Sequence, residues 1–159
     1  MHSRYCVEER QVHGPSPRPR VARNRILIGV TVSAEANKAL VRRYFDERWN
    51  ARNYDIVDEL TAGGDPEEHK AWLRSVHAVY SESEMILGEP VAEGDWVVLP
   101  WTTTGVLRSP YEGVGSPGER VEFSGLAIVR IADGKIIEDR AYSEGFGSVL
   151  LGQTYHPTE

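Results

Sequence analysis

From Ser33 onward the hydrophobic positions fall at helical spacing. Ala36, Leu40, Val41, Tyr44, Phe45 and Trp49 share one face, while Lys38, Arg42, Asp46 and Arg52 lie opposite. That spacing predicts an amphipathic helix over 34–50, with Ser33 as its cap. Asn53 offers a cap for a short second helix carrying Ile56, Val57 and Leu60, and Gly63-Gly64 then breaks the chain. Asp65-Pro66-Glu67-Glu68 reads as a helix start: a capping carboxylate, a proline in the first turn and a glutamate three residues after the cap. Trp72, Leu73, Val76 and Val79 continue this third helix to about Val79.

The period then changes to two. Met85, Leu87 and Val91 predict one strand that ends near the Glu93-Gly94-Asp95 turn. Trp96 to Leu107, rich in Val, Thr and Trp, predicts a long second strand with a bulge at Pro100. Residues 108–119 read as a loop, Val121 to Ile131 as a third strand, and Ile136 to Ser143 as a fourth. The last two strands form a hairpin through Ala132-Asp133-Gly134, because Asp-Gly supplies positive φ at little cost. The segment from Gly145, with Val149, Leu150 and Leu151, is expected to pack across an edge or the pocket mouth. Helices followed by consecutive antiparallel strands define an α+β fold. A curved sheet wrapped around its helices leaves a cone-shaped hollow, where small-molecule sites form.

Composition adds a boundary. Residues 1–25 hold six arginines against Glu8 and Glu9 and include Pro15, Pro17 and Pro19, with no periodic apolar pattern. Residues 1–30 are therefore expected to be a disordered basic extension, and 31–159 the folded domain. A second reading puts the natural start of the protein near Val30, where recognisable patterning begins. Of the net charge of −6, the first 25 residues carry +4 and the remainder −10. An acidic domain repels phosphate backbones, which argues against nucleic acid as a partner. Cys6 is the only cysteine, so no intramolecular disulfide and no cysteine metal site can form, and a cytoplasmic location is expected. The apolar run Ile26 to Val32 is too short to span a bilayer, so no membrane partner is expected.

Three stretches carry a family likeness: "NKALVRRYFDERWN" in the first helix, "EGDWVVLPWTTTG" in the second strand and "GERVEFSGLAIVRIADGKIIED" in the last hairpin. Over about Ser33 to Gly152 the chain resembles the SnoaL-like polyketide cyclases of the nuclear transport factor 2-like fold. The resemblance implies a cone-shaped domain with three N-terminal helices on a curved antiparallel sheet, and a homodimer formed through the sheets. It also implies ring closure on a small apolar carbonyl compound, such as a polyketide ester, by general acid–base chemistry without metal or cofactor. By the same comparison, the family's inward histidine falls on Ala127 and its acid–base aspartate on Ala141. The histidine two residues before that aspartate is replaced by Asp139. The family's strand and histidine-containing loop between the second and third helices are reduced to Thr61-Ala62-Gly63-Gly64-Asp65.

Alternation along the last strand groups Asp139 with Ala141 and Ser143, and leaves Tyr142 on the other face. If the family's orientation holds, Asp139 is a relocated general base; otherwise it is a half-exposed strand acid paired with a neighbouring arginine. Phe123 and Ala127 share a face of the third strand, and Trp101 shares one with Val97, Leu99 and Thr103. Trp101, Phe123, Ala127, Ala141 and Ser143 are the expected substrate wall. His77 is a further candidate on the face of Leu73 and Tyr80, its alternative being a surface histidine. No two histidines have metal-ligand spacing on one element, so no metal site is expected. "GVGSPG" lies between two strands, which excludes a phosphate cradle and leaves a flexible loop or a pocket lid. Epoxide hydrolysis, which the fold also supports, needs an arginine between two acids. Arg140 faces away from Asp139, so Arg74 or Arg130 would have to turn inward. A non-catalytic binding or dimerisation module is the rival to any enzyme reading.

Overall fold

The computed structural model describes residues 33–143, apart from 112 and 114. The chain divides into two units, Met1–Val30 and Thr31–Glu159, and every described residue lies in the second. Expectations for the basic extension, for Cys6 and for the segment from Gly145 fall outside the described residues.

Among the described residues three helices, α1 (Ala34–Trp49), α2 (Ile56–Leu60) and α3 (Pro66–Ala78), precede five strands: β1 (Tyr80–Leu87), β2 (Val91–Glu93), β3 (Trp96–Leu107), β4 (Arg120–Ala132) and β5 (Lys135–Ser143). The sheet is antiparallel in the order β1-β3-β4-β5, with β2 also pairing β3. Its inner face and the helices enclose a core of Val41, Tyr44, Phe45, Leu73, Val97, Leu99 and Val129, each 0–1% exposed.

The caps form as the residue types dictate. Ser33 accepts from the Ala36 amide, and Asp65 accepts from the amides of Glu67 and Glu68 ahead of Pro66. Asn53 does not cap α2; its side chain donates to Glu47, and Asp55 stands at the cap position without a side-chain bond. Two asparagines, Asn37 in α1 and Asn50 at its C-cap, fix the helix to the sheet. Asn50 satisfies both backbone groups of Met85, at 2.8 and 2.9 Å, and Asn37 donates to the Gly94 carbonyl.

The expected first strand is in fact two, and it starts earlier, at Tyr80, directly after α3. Gly88 and Pro90 interrupt it, and both pieces pair with β3. No bulge forms at Pro100, which stays in register opposite Leu126. The Pro100 carbonyl accepts from Gly88, so the ring nitrogen on that same side faces the β1–β2 break, where no ladder donor is required. The Asp133-Gly134 turn closes β4 onto β5 with φ of 50° and 72°, as its residues predict.

Candidate functional site

The apolar stripe of α1 contains a charged residue. Arg48 lies four residues after Tyr44 on the inward face and is 6% exposed. Its guanidinium carbon sits 4.3 Å from the Tyr44 ring centre and 3.9 Å from that of Phe45. Nη1 donates to the Tyr44 hydroxyl at 3.0 Å and to Asp139 Oδ2 at 2.9 Å. A buried cation needs a partner. Burial works against the Arg48 charge, and Tyr44 and Asp139 outweigh it. Across the sheet, β5 delivers Asp139 opposite Val129, and α3 delivers His69. His69 Nε2 lies 3.5 Å from Arg48 Nη1. The two hydrogens of Nη1 already go to Tyr44 and Asp139, so His69 meets the guanidinium as a close neighbour. Burial first, then the Arg48 charge, pushes the His69 pKa down to about 4 against the opposing pull of Asp139, which leaves a neutral ring at pH 7.

This cluster borders a cavity of about 60 Å³ between α1, α3 and the sheet. Phe45, Trp49, Trp72, Leu73, Met85, Trp101 and Phe123 supply most of its wall. The wall is apolar but not featureless. Among the described residues, the indole N–H groups of Trp49, Trp72 and Trp101, the Thr103 hydroxyl and Asp139 Oδ1 are buried without a hydrogen-bond partner. A ligand carbonyl can take those donors, and Oδ1 can take a proton. Trp101 reaches the wall because its partner across the ladder is Gly125: a Cβ there would stand 2.3 Å from the indole and 2.3 Å from the Tyr142 carbonyl. Trp101 then meets Phe123 edge-on, ring centres 5.8 Å apart. A smaller cavity of about 20 Å³, bordered by Thr61, Gly63 and Ile136, reaches Asp139 and His69 from the other side. The Thr61 region makes a bridge to Ile136 of β5, so the shortened connection still lies beside that strand.

Of the expected site residues, Asp139, Trp101, Phe123 and Ala141 come together around the main cavity. Ala127 does not line it; paired with Leu99 and Ala141, it is fully buried in the core. Ser143 lies beyond it, opposite Gly125. His77 is buried rather than on the surface, but it lines a different cavity. Neither arginine considered for the inward cation takes that place. Arg130 pairs with Asp95, and Arg74 lies over the Tyr54 ring. The inward cation is Arg48, and its other neighbour is a histidine rather than a second aspartate. Arg48 and His69 escaped sequence reasoning, although the signal was present. Positions 41, 44, 45, 48 and 49 complete a helical face, and so do 69, 73 and 76. Among the described residues no group of three or more His, Cys, Asp or Glu side chains is placed to hold a metal ion, and no helix is long and apolar enough to cross a membrane.

Comparison with known proteins agrees with this architecture. No curated protein matches the chain. Among solved structures, a protein described as a SnoaL-like polyketide cyclase from Jannaschia sp. CCS1 is 25% identical, with a TM-score of 0.63 over 76% of this chain and 93% of that one. AclR from Streptomyces galilaeus, described as a hydroxylase, is 19% identical with a TM-score of 0.63, over 77% of this chain and 100% of its own. IdmH from Streptomyces antibioticus, described as a polyketide cyclase, is 19% identical with a TM-score of 0.60, over 74% and 96%. At 19% identity the last two speak for the fold alone. The family model for SnoaL-like polyketide cyclases matches residues 39–149. The chain belongs to the SnoaL-like polyketide cyclase family.

Proposed function

We propose that this protein takes a small apolar carbonyl compound into the main cavity and removes a proton beside its carbonyl, with Asp139 as general base and no cofactor. The observation that carries the reading is a carboxylate with one oxygen fixed by Arg48 and the other buried and unengaged beside an apolar hollow. In this scheme Oδ1 accepts the α-proton, and the C–H electron pair moves into the carbonyl to give an enolate. An indole N–H or the Thr103 hydroxyl stabilises the enolate oxygen. The enolate carbon then attacks a second carbonyl of the same molecule to close a ring, and the proton held by Asp139 passes to the new alkoxide. Neutral His69 keeps Arg48 from gaining a competing cation. In the test, ring-forming keto esters are incubated with protein and the products are followed by mass spectrometry. The reading expects conversion by the native protein and none by Asp139→Asn, with binding retained as a raised melting temperature. Full activity in that variant would exclude Asp139.

One observation favours a binding module instead: the family's acid–base positions are Ala127, in the core, and Ala141, an apolar patch of the wall. On that reading ligands raise the melting temperature and no product forms on prolonged incubation. The working form in either case is a homodimer. Pro100, Leu126 and Tyr142 make a row across β3, β4 and β5 on the outer face, with Leu126 45% and Tyr142 56% exposed. Sheet-to-sheet pairing of two copies would cover that row. The acidic balance of residues 26–159 and the single cysteine support a cytoplasmic protein with no nucleic-acid partner.

A further inference from the structure

A further cavity, about 270 Å³ and more open than the main one, is bordered by His77, whose ring meets Trp49 of the main cavity's wall. Three arginines border it: Arg52 after α1, Arg74 on α3 and Arg108 after β3. Among the described residues none of the three has a carboxylate partner. Of the described arginines outside the cavity, Arg42, Arg43, Arg48, Arg130 and Arg140 form ion pairs and only Arg120 does not. Gathering three unpaired guanidinium groups around one hollow costs repulsion that an anion relieves.

The floor of the hollow is polar as well. His77 is 4% exposed and Tyr80 is 1% exposed. His77 Nδ1 bonds the Tyr54 hydroxyl at 2.8 Å, while His77 Nε2 and the Tyr80 hydroxyl are buried without a partner. The backbone holds the cationic rim in place. The Arg108 amide donates to the Val79 carbonyl at 2.6 Å, next to Tyr80. Arg52 adopts φ of 54°, a left-handed conformation that a non-glycine side chain seldom takes.

From the three unpaired arginines around a hollow floored by buried His77 and Tyr80, we propose that this cavity binds a phosphate or diphosphate group of a small molecule. Three fork-shaped donors with two further polar side chains suit a multiply charged oxyanion better than a single carboxylate, because each guanidinium can donate two parallel bonds to phosphate oxygens. The site shares no lining residue with the Arg48–Asp139 cavity; Trp49 of that wall meets His77 and Tyr80 of this floor edge-on, ring centres 4.7 and 6.5 Å apart. Burial, followed by the charges of Arg52 and Arg48, holds the His77 pKa down to about 4. An anion bound beside Arg52 offsets part of that charge and moves the His77 value upward.

The test is calorimetric titration of the full chain with inorganic pyrophosphate and inorganic phosphate, at ionic strength matched with chloride. Saturable binding is expected, weakened about tenfold or more in Arg74→Gln and in Arg108→Gln. Arg140→Gln, on the outer sheet face, should bind as the native protein does, and melting temperatures confirm that all three variants fold. An upward move of the His77 imidazole titration on adding pyrophosphate, read by NMR, supports the same site. Absence of saturable binding overturns the proposal, as does equal affinity in the native protein, Arg74→Gln and Arg108→Gln.

Discussion

Arg48 and Asp139 are bound to each other in a largely buried place, their side chains 8% and 15% exposed. Removing one charge strands the other, and that loss exceeds what the pair contributes relative to apolar residues. Asp139→Asn should therefore lower unfolding stability by about 3 kcal/mol in urea. The double change Arg48→Met with Asp139→Leu should recover most of that loss. If Asp139→Asn proves as stable as the native protein, the ion pair is not closed in solution. The two buried histidines act at the same scale. Their folded-state pKa values, about 4 for both His69 and His77, lie below the ordinary histidine value of 6.5. The unfolded chain thus takes up protons first as pH falls. Their contribution is present in full above pH 6.5 and is lost between there and pH 4. Melting temperature should drop across that window, and less steeply in His69→Gln and His77→Gln. An unchanged slope in both variants would mean that the rings are solvated.

At the scale of elements, Trp101 stands in the cavity wall only because β4 offers a residue with no side chain opposite it. Gly125→Ala should force the indole or the β5 backbone aside and cost about 2 kcal/mol or more, visible as a lower denaturation midpoint and a loss of ligand-dependent stabilisation. Normal stability in that variant would show that Trp101 sits elsewhere. Periodicity made most elements legible. The 34–50 face, the Asp65-Pro66 start and the Asp133-Gly134 hairpin each encode their geometry within a few residues. The break at Gly88–Pro90 and the early start of β1 at Tyr80 were not legible, because Tyr80 satisfies the helical period and the strand period alike. Strand parity grouped Asp139 with Ala141, Phe123 with Ala127, and Trp101 with Leu99 and Thr103, and the family resemblance turned those faces inward. The partners that α1 and α3 bring to Asp139 could not be read. Reading a stripe as apolar passes over Arg48 inside it, and only the tertiary approach of β5 reveals what Arg48 is for.

For the whole molecule, one surface and the main hollow remain to be connected. The outer sheet row of Pro100, Leu126 and Tyr142 predicts self-association. Sedimentation should give a dimer for the native protein and a monomer for Leu126→Glu, with the melting curve still cooperative; a native monomer would remove the sheet face from the account. The hollow is the claim on which function rests, and proton abstraction inside it can be observed without knowing the natural substrate. A small apolar ketone such as cyclohexanone, incubated with the protein in D2O, reports α-proton exchange by NMR. The account predicts that the native protein accelerates exchange and that a folded Asp139→Asn variant does not. Exchange at the uncatalysed rate with the native protein, or equal acceleration by both, would contradict it.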